Sequence, residues 1–125
     1  MSEDILISII DDHESVRQAI GALVQSYGYK VVTFSSAELF LRSEVMSETK
    51  CLIADVKLPG LSGLELQKEL KARGRRTPVI LVTAYPPDEK DRADALDAGA
   101  VGFLIKPFDE EALIGCLTAA INEGK

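Results

Sequence analysis

Five short apolar runs, rich in β-branched residues, punctuate this chain at Ile5–Ile10, Lys30–Phe34, Cys51–Ala54, Val79–Val82 and Val101–Ile105. They are near-continuously apolar rather than alternating, the pattern of strands buried on both faces of a parallel sheet. Between them, apolar residues recur at helical spacing. Val16, Ala19, Ile20, Leu23, Val24 and Tyr27 do so after the first run, and Ala112, Leu113, Cys116, Leu117, Ala120 and Ile121 after the last. Strict alternation of strand and helix with right-handed crossovers leaves few topologies. The expected fold class is α/β: a single doubly wound domain over residues 1–125, with a five-stranded parallel sheet of order 2-1-3-4-5 and five helices.

The element boundaries carry their own signals. Ser35 with Glu38, and Ser62 with Glu65, have capping-box spacing. Phe108 and Leu113 flank Asp109 at the spacing of a hydrophobic staple, which makes Asp109 the N-cap of the last helix. Gly28, Gly74, Gly99 and Gly124 each follow a helical pattern, where a left-handed C-cap is wanted.

Composition narrows the function. At 125 residues the chain supports one core and not two. No run approaches the roughly 20 apolar residues of a membrane helix, and the opening Met1-Ser2-Glu3-Asp4 is acidic, unlike a secretory signal. A cytoplasmic location and no membrane partner are expected. Fourteen basic against twenty acidic residues give a net charge of −6, which disfavours direct nucleic-acid binding. The one basic cluster, Arg73-Gly74-Arg75-Arg76, reads as a solvated turn after a helix. Cys51 and Cys116 have no metal-type spacing and read as reduced thiols.

In such sheets, ligands bind beyond the carboxyl ends of the strands, where the strand order reverses. Strand 1 ends there in Asp11-Asp12, strand 3 in Asp55, strand 4 in Thr83, and strand 5 in Lys106-Pro107. Strands 1 and 3 are neighbours at the switch point, so three carboxylates converge. Without a cation they repel one another and raise each other's pKa values. A hard divalent ion relieves that, and an oxygen-only set suits Mg²⁺ or Mn²⁺. A carboxylate can also be a nucleophile that forms an aspartyl phosphate. Asp55, central in the sheet, is the candidate acceptor, with the Lys106 charge and the Thr83 hydroxyl available to the phosphoryl oxygens. Singly, each of these residues is ordinary cap, turn or strand-end chemistry. Their coincidence at one sheet edge is what carries the reading.

Through Asp11-Asp12, the run Asp55-Val56-Lys57-Leu58-Pro59-Gly60-Leu61-Ser62-Gly63, Thr83-Ala84 and Lys106-Pro107, the whole chain resembles the receiver domain of two-component response regulators, a flavodoxin-like fold. Phe34–Glu38 and Gly99–Phe103 resemble the nitrogen-fixation regulator branch of that family. The resemblance implies that Asp55 accepts a phosphoryl group from a phosphohistidine of a sensor histidine kinase or phosphotransfer protein. It implies Asp12 as a direct Mg²⁺ ligand, Asp11 as one acting through water, and the Lys57 carbonyl as the third protein ligand. Thr83 and Lys106 then grip the phosphoryl group, and the Lys106–Pro107 peptide is cis. Such a domain is not an enzyme in the ordinary sense; it catalyses only its own phosphorylation and dephosphorylation. One departure stands out: the span from Thr83 to Lys106 is one residue longer than usual and contains Pro86-Pro87.

Several readings stay open. His13 adjoins the acidic pair but reads as an exposed helix-start residue. Phe103 is either plain sheet core or, by resemblance, the aromatic that switches with Thr83 between exposed and buried states. By the same resemblance, Tyr85 and Lys57 set the access of water to the phosphoaspartate. The alternative function is a phosphatase or phosphotransferase with an aspartyl-phosphate intermediate, although Lys57 stands where such enzymes want a second acid. A flavodoxin-like redox module is disfavoured because Asp11-Asp12 repels phosphate. The fourth helix, Asp88 to Ala98, has one large aliphatic residue, Leu96, and should be weakly held. The face of helix 4, strand 5 and helix 5 is therefore the expected output surface or homodimer interface. The cognate kinase, and any output domain after residue 125, are not legible.

Overall fold

A computed structural model describes residues 5–84, 88–97 and 99–123. The strands are β1 (Leu6–Ile10), β2 (Lys30–Phe34), β3 (Cys51–Asp55), β4 (Val79–Thr83) and β5 (Ala100–Ile105). The helices are α1 (Glu14–Ser26), α2 (Ala37–Leu41), α3 (Gly63–Ala72), α4 (Glu89–Asp97) and α5 (Glu110–Glu123), with a 3₁₀ turn at Glu44–Glu48. All pairings are parallel and the order is β2-β1-β3-β4-β5, as expected from the alternation.

Successive residues of the central strands point to opposite faces and divide the core in two. Leu52, Ala54 and Leu81 join Phe40, Leu66 and Leu70 on the face covered by α2, α3 and α4. Ile53, Ile80 and Val82 join Ile20, Val24, Leu113 and Leu117 on the face covered by α1 and α5. Burying each large aliphatic side chain contributes about 1.5–3 kcal/mol. Ser8 is the polar exception in β1, and its buried hydroxyl bonds that of Thr49 at 2.7 Å.

Several expectations need correction. Full burial holds for β3 and β4, and for all but the first residue of β1, but β2 and β5 are edge strands with exposed positions. Tyr27 is 48% exposed and forms the C-cap of α1 rather than joining its apolar face. Ala19, too, is exposed, and so is Ala112 in α5. The Ser35–Glu38 capping box does not form. Ser36 is the N-cap of α2 and accepts from Leu39 N, while Glu38 Oε2 accepts from Leu61 N at 2.8 Å, across the surface on the β3–α3 connection. The Ser62–Glu65 box is complete. Gly28, Gly74 and Gly99 adopt positive φ after their helices, as expected, whereas Gly124 lies outside the described residues. Phe108 and Leu113 share the α1/α5 core cluster, and the Leu113 N–H bonds the Asp109 carbonyl, the backbone pattern expected of a helix starting there.

Candidate functional site

The carboxyl ends of β1, β3, β4 and β5 bring Asp11, Asp55, Thr83 and Lys106 to one edge of the sheet. Asp11 follows β1 directly, held by a bond from its N–H to the Phe34 carbonyl at 3.1 Å. Asp55 is the last residue of β3 and Thr83 the last of β4. All three are buried, with relative exposures of 0%, 5% and 3%. Lys106 follows β5; its N–H donates to the Thr83 carbonyl at 2.7 Å, which locks the two strand ends together. The Lys106–Pro107 peptide is cis, as the resemblance implies.

Lys106 supplies the charge that organises the edge. Its ammonium donates to Asp11 Oδ2 at 2.9 Å and to Asp55 Oδ2 at 2.8 Å, bridging β1 and β3 from β5. The remaining oxygens are held by local turns. Asp55 Oδ1 accepts from Lys57 N at 2.9 Å, and Asp11 Oδ1 from His13 N at 2.9 Å. Both carboxylates are thus oriented by one long-range cation and one backbone N–H two residues on.

The titration properties follow from this geometry. Burial opposes the charge on Asp11, but the hydrogen bonds from Lys106 and His13 outweigh it and hold its pKa below the ordinary value. Burial dominates at Asp55, where the bonds from Lys106 and Lys57 offset it only in part, so its pKa is raised. Burial opposes the Lys106 charge as well, yet its bonds to Asp55 and Asp11 win and raise its pKa. Lys106 is therefore a cation at neutral pH.

Asp12 lies on the exposed side of the edge. Its carboxylate, that of Asp11 and His13 Nδ1 form a group whose ligand atoms all lie within 4.8 Å of one another. Two hard oxygen donors there fit magnesium, while an imidazole nitrogen adds nothing a hard ion requires. His13 is exposed, as expected, and is the N-cap residue of α1 without a side-chain cap bond. Sequence reasoning missed how closely it approaches the pair: Nδ1 sits 3.4 Å from Asp11 Oδ1 and 3.3 Å from Asp12 Oδ1. It also missed Arg17, whose guanidinium donates to the Asp11 carbonyl at 2.7 Å and ties the first helical turn to the site. Arg17 follows His13 by four residues, a spacing visible in the sequence, but nothing marked the Asp11 carbonyl as its target.

The connection after Asp55 is shaped by close approach. A Cβ on Gly63 would stand 2.5 Å from the Asp55 carbonyl oxygen, so only glycine lets α3 begin there. Gly60 has φ +76°, and a Cβ there would run into the Glu38 carboxylate. Lys57 is exposed beside the site. Phe103, further back on β5, is half-buried against the α3/α4 core cluster, and the Arg92 guanidinium of α4 lies 5.6 Å from its ring centroid. Tyr85, Pro86 and Pro87 lie outside the described residues. No helix among the described residues is long and apolar enough to cross a membrane.

Comparison with known proteins identifies the family and the fold. Response regulator protein TodT of Pseudomonas putida is 42% identical over 117 residues, covering 94% of this chain and 51% of its own length. The transcriptional regulatory protein FixJ of Azorhizobium caulinodans is 40% identical over 122 residues, covering 98% of this chain and 57% of its own. This chain thus spans about half the length of the curated relatives it matches. Among solved structures, the receiver domain protein of Clostridium thermocellum superposes with a TM-score of 0.86 at 30% identity, covering 95% of each chain. The FixJ-N crystal structure gives 0.84 at 29%, covering 97% of this chain and 96% of that one. The sequence model of the response regulator receiver domain matches residues 7–118. With the 2-1-3-4-5 sheet and its acidic edge in place, this chain belongs to the response regulator receiver domain family of two-component signalling.

Proposed function

We propose that this receiver is a phosphorylation switch in which Asp55 is the phosphoacceptor. The observation that carries the reading is Lys106, whose ammonium spans Asp11 and Asp55 at 2.9 and 2.8 Å. An Asp55 oxygen forms a bond to the phosphorus of a phosphohistidine on a sensor kinase or phosphotransfer protein. The P–N bond breaks, and its electron pair goes to the imidazole nitrogen. Lys106 stands beside the charge on the phosphoryl oxygens, and Thr83, at the end of the neighbouring strand, is placed to offer its hydroxyl. Magnesium would be held by Asp12, by Asp11 through water, by Asp55 and by the Lys57 carbonyl, and supplies charge neutralisation when bound. The chain acts on itself and turns over no separate substrate.

The output leaves through α4, β5 and α5, as a surface for a further domain, a partner or a second copy. Two contacts support this route. The Lys106 N–H bond to the Thr83 carbonyl passes any displacement of Thr83 to β5, and Arg92 over Phe103 joins β5 to α4.

Intact-mass spectrometry after incubation with acetyl phosphate tests the assignment. One added phosphate is expected on the wild type with Mg²⁺, and none with chelator or on Asp55→Asn. Undiminished labelling of Asp55→Asn overturns it. A phosphatase would instead release phosphate continuously from a specific substrate.

A further inference from the structure

The end of the sheet opposite the acidic edge also carries a concavity. A cavity of about 550 Å³ opens between the C-terminal ends of α3 and α4, over the starts of β4 and β5. At ~3.3 Å per residue, the length of a strand separates it from Asp55. Its volume lies within the ~300–1,000 Å³ range of small-molecule sites.

Three kinds of group line it. Leu70 and Val79 give it an aliphatic floor, together with Val101, which the β4–β5 register skips. Lys71, Arg75 and Arg76 supply positive charge. Arg73 of the same basic cluster is engaged with Glu69 at 2.8 Å, but among the described residues no carboxylate pairs with the other three. In a chain of net charge −6, this is a local basic island.

The third group is Gln67, which is only 3% exposed. Its Nε2 donates to the Ala95 carbonyl of α4 at 3.1 Å, which fixes the orientation of the amide. Its Oε1 is then buried without a hydrogen-bond partner. Native structures rarely leave such an acceptor uncompensated. Gln67 is itself a lining residue, so this unpartnered acceptor belongs to a side chain that borders the cavity.

We propose that this cavity binds a small amphipathic anion. The ligand has a carboxylate or phosphate for Lys71, Arg75 and Arg76, and a branched or aromatic body for the floor. It also has an N–H or O–H donor for Gln67 Oε1. Asp97, the one acidic residue in the lining, is contributed by α4 and offers that donor a second acceptor. The ligand engages the same amide that holds α4 to α3, so occupancy acts on the helix that the switch must move.

An NMR titration of the ¹⁵N-labelled chain tests this with three probes. N-acetyl-leucine has all three features, N-acetyl-leucinamide lacks the charge, and inorganic phosphate lacks the apolar body. Saturable shifts are expected for N-acetyl-leucine at the Gln67 side-chain amide, residues 71–79 and residues 99–101. Binding should weaken ~10-fold or more for each of the other two probes, and in the exposed double variant R75E/R76E. The proposal is overturned if no saturable shift develops, or if either control probe binds as tightly. Unchanged binding to R75E/R76E overturns it too.

Discussion

Helices α1 and α4 each bridge two parallel strands, one on either face of the sheet, yet they are held in different ways. α1 buries Ile20, Gly21 and Val24 and half-buries Val16 and Leu23, so a full apolar stripe meets the core. Among its described side chains α4 buries only Ala95, and Leu96, its one large aliphatic residue, is 57% exposed. What remains is specific and sparse: the Gln67 amide on the Ala95 carbonyl, and Arg92 over Phe103. Burial fixes α1 in place through many contacts that fail together. α4 is placed by a few contacts that can be exchanged singly, which sets it at the low-stability end of the fold.

The widest gap should appear in global stability. Ile20→Ala is expected to cost about 2–4 kcal/mol in urea denaturation, since it empties a packed position. Leu96→Ala should stay within about 0.5 kcal/mol. Equal losses would erase the distinction between the helices.

Hydrogen exchange sharpens the contrast locally. Without any phosphate mimic, α4 amides should exchange about tenfold or more faster than those in the middle of α1, because a sub-global opening exposes them. Beryllofluoride with Mg²⁺ should alter exchange in α4 and β5 more than anywhere outside the phosphate pocket. Changes confined to α1 and α2 would place the mobile element on the wrong side.

The smallest effect concerns the end of α1. The Tyr27 hydroxyl donates to Glu110 Oε2 at 2.8 Å, tying α1 to α5. That bond, with burial next, raises the phenol pKa above its ordinary 10.0. Its contribution is fully present below the unfolded value and is lost as pH rises through the folded one. Between those two values the wild type should lose slightly more stability than Tyr27→Phe, measured by thermal melts. Superimposable profiles would show that the contact contributes nothing to holding α1.

Much of this contrast was legible in the sequence. Six apolar residues at helical spacing in the first helix, against Leu96 alone in the fourth, already ranked the two, although Ala19 and Tyr27 proved exposed. The sheet order and the convergence of Asp11, Asp55, Thr83 and Lys106 followed from strand ends and topology. Other features depended on atoms that spacing does not place. Capping-box spacing put Glu38 on its own helix, but a longer reach to Leu61 N won. Tyr27 fitted the helical period, yet its polar tip took it outward to Glu110. The three carboxylates suggested mutual repulsion, which Asp11 does exert on Asp55, but Lys106 bridges the two and Asp11 itself is held below its ordinary value. Gln67 carried no signal, since a buried amide is recognised only by the groups around it.

The Glu38 contact also bears on how such a chain can change over generations. Gly60 leaves the space that the Glu38 carboxylate occupies, and that carboxylate caps the next N–H along. The two positions are therefore not free to drift independently. Any side chain at 60 meets Glu38 as well as an unfavourable φ, whereas losing Glu38 first removes the steric part of that penalty. Order of substitution matters, so one of the two mutational paths is easier than the other. A helix and a loop joined by one carboxylate are in this way bound to evolve together.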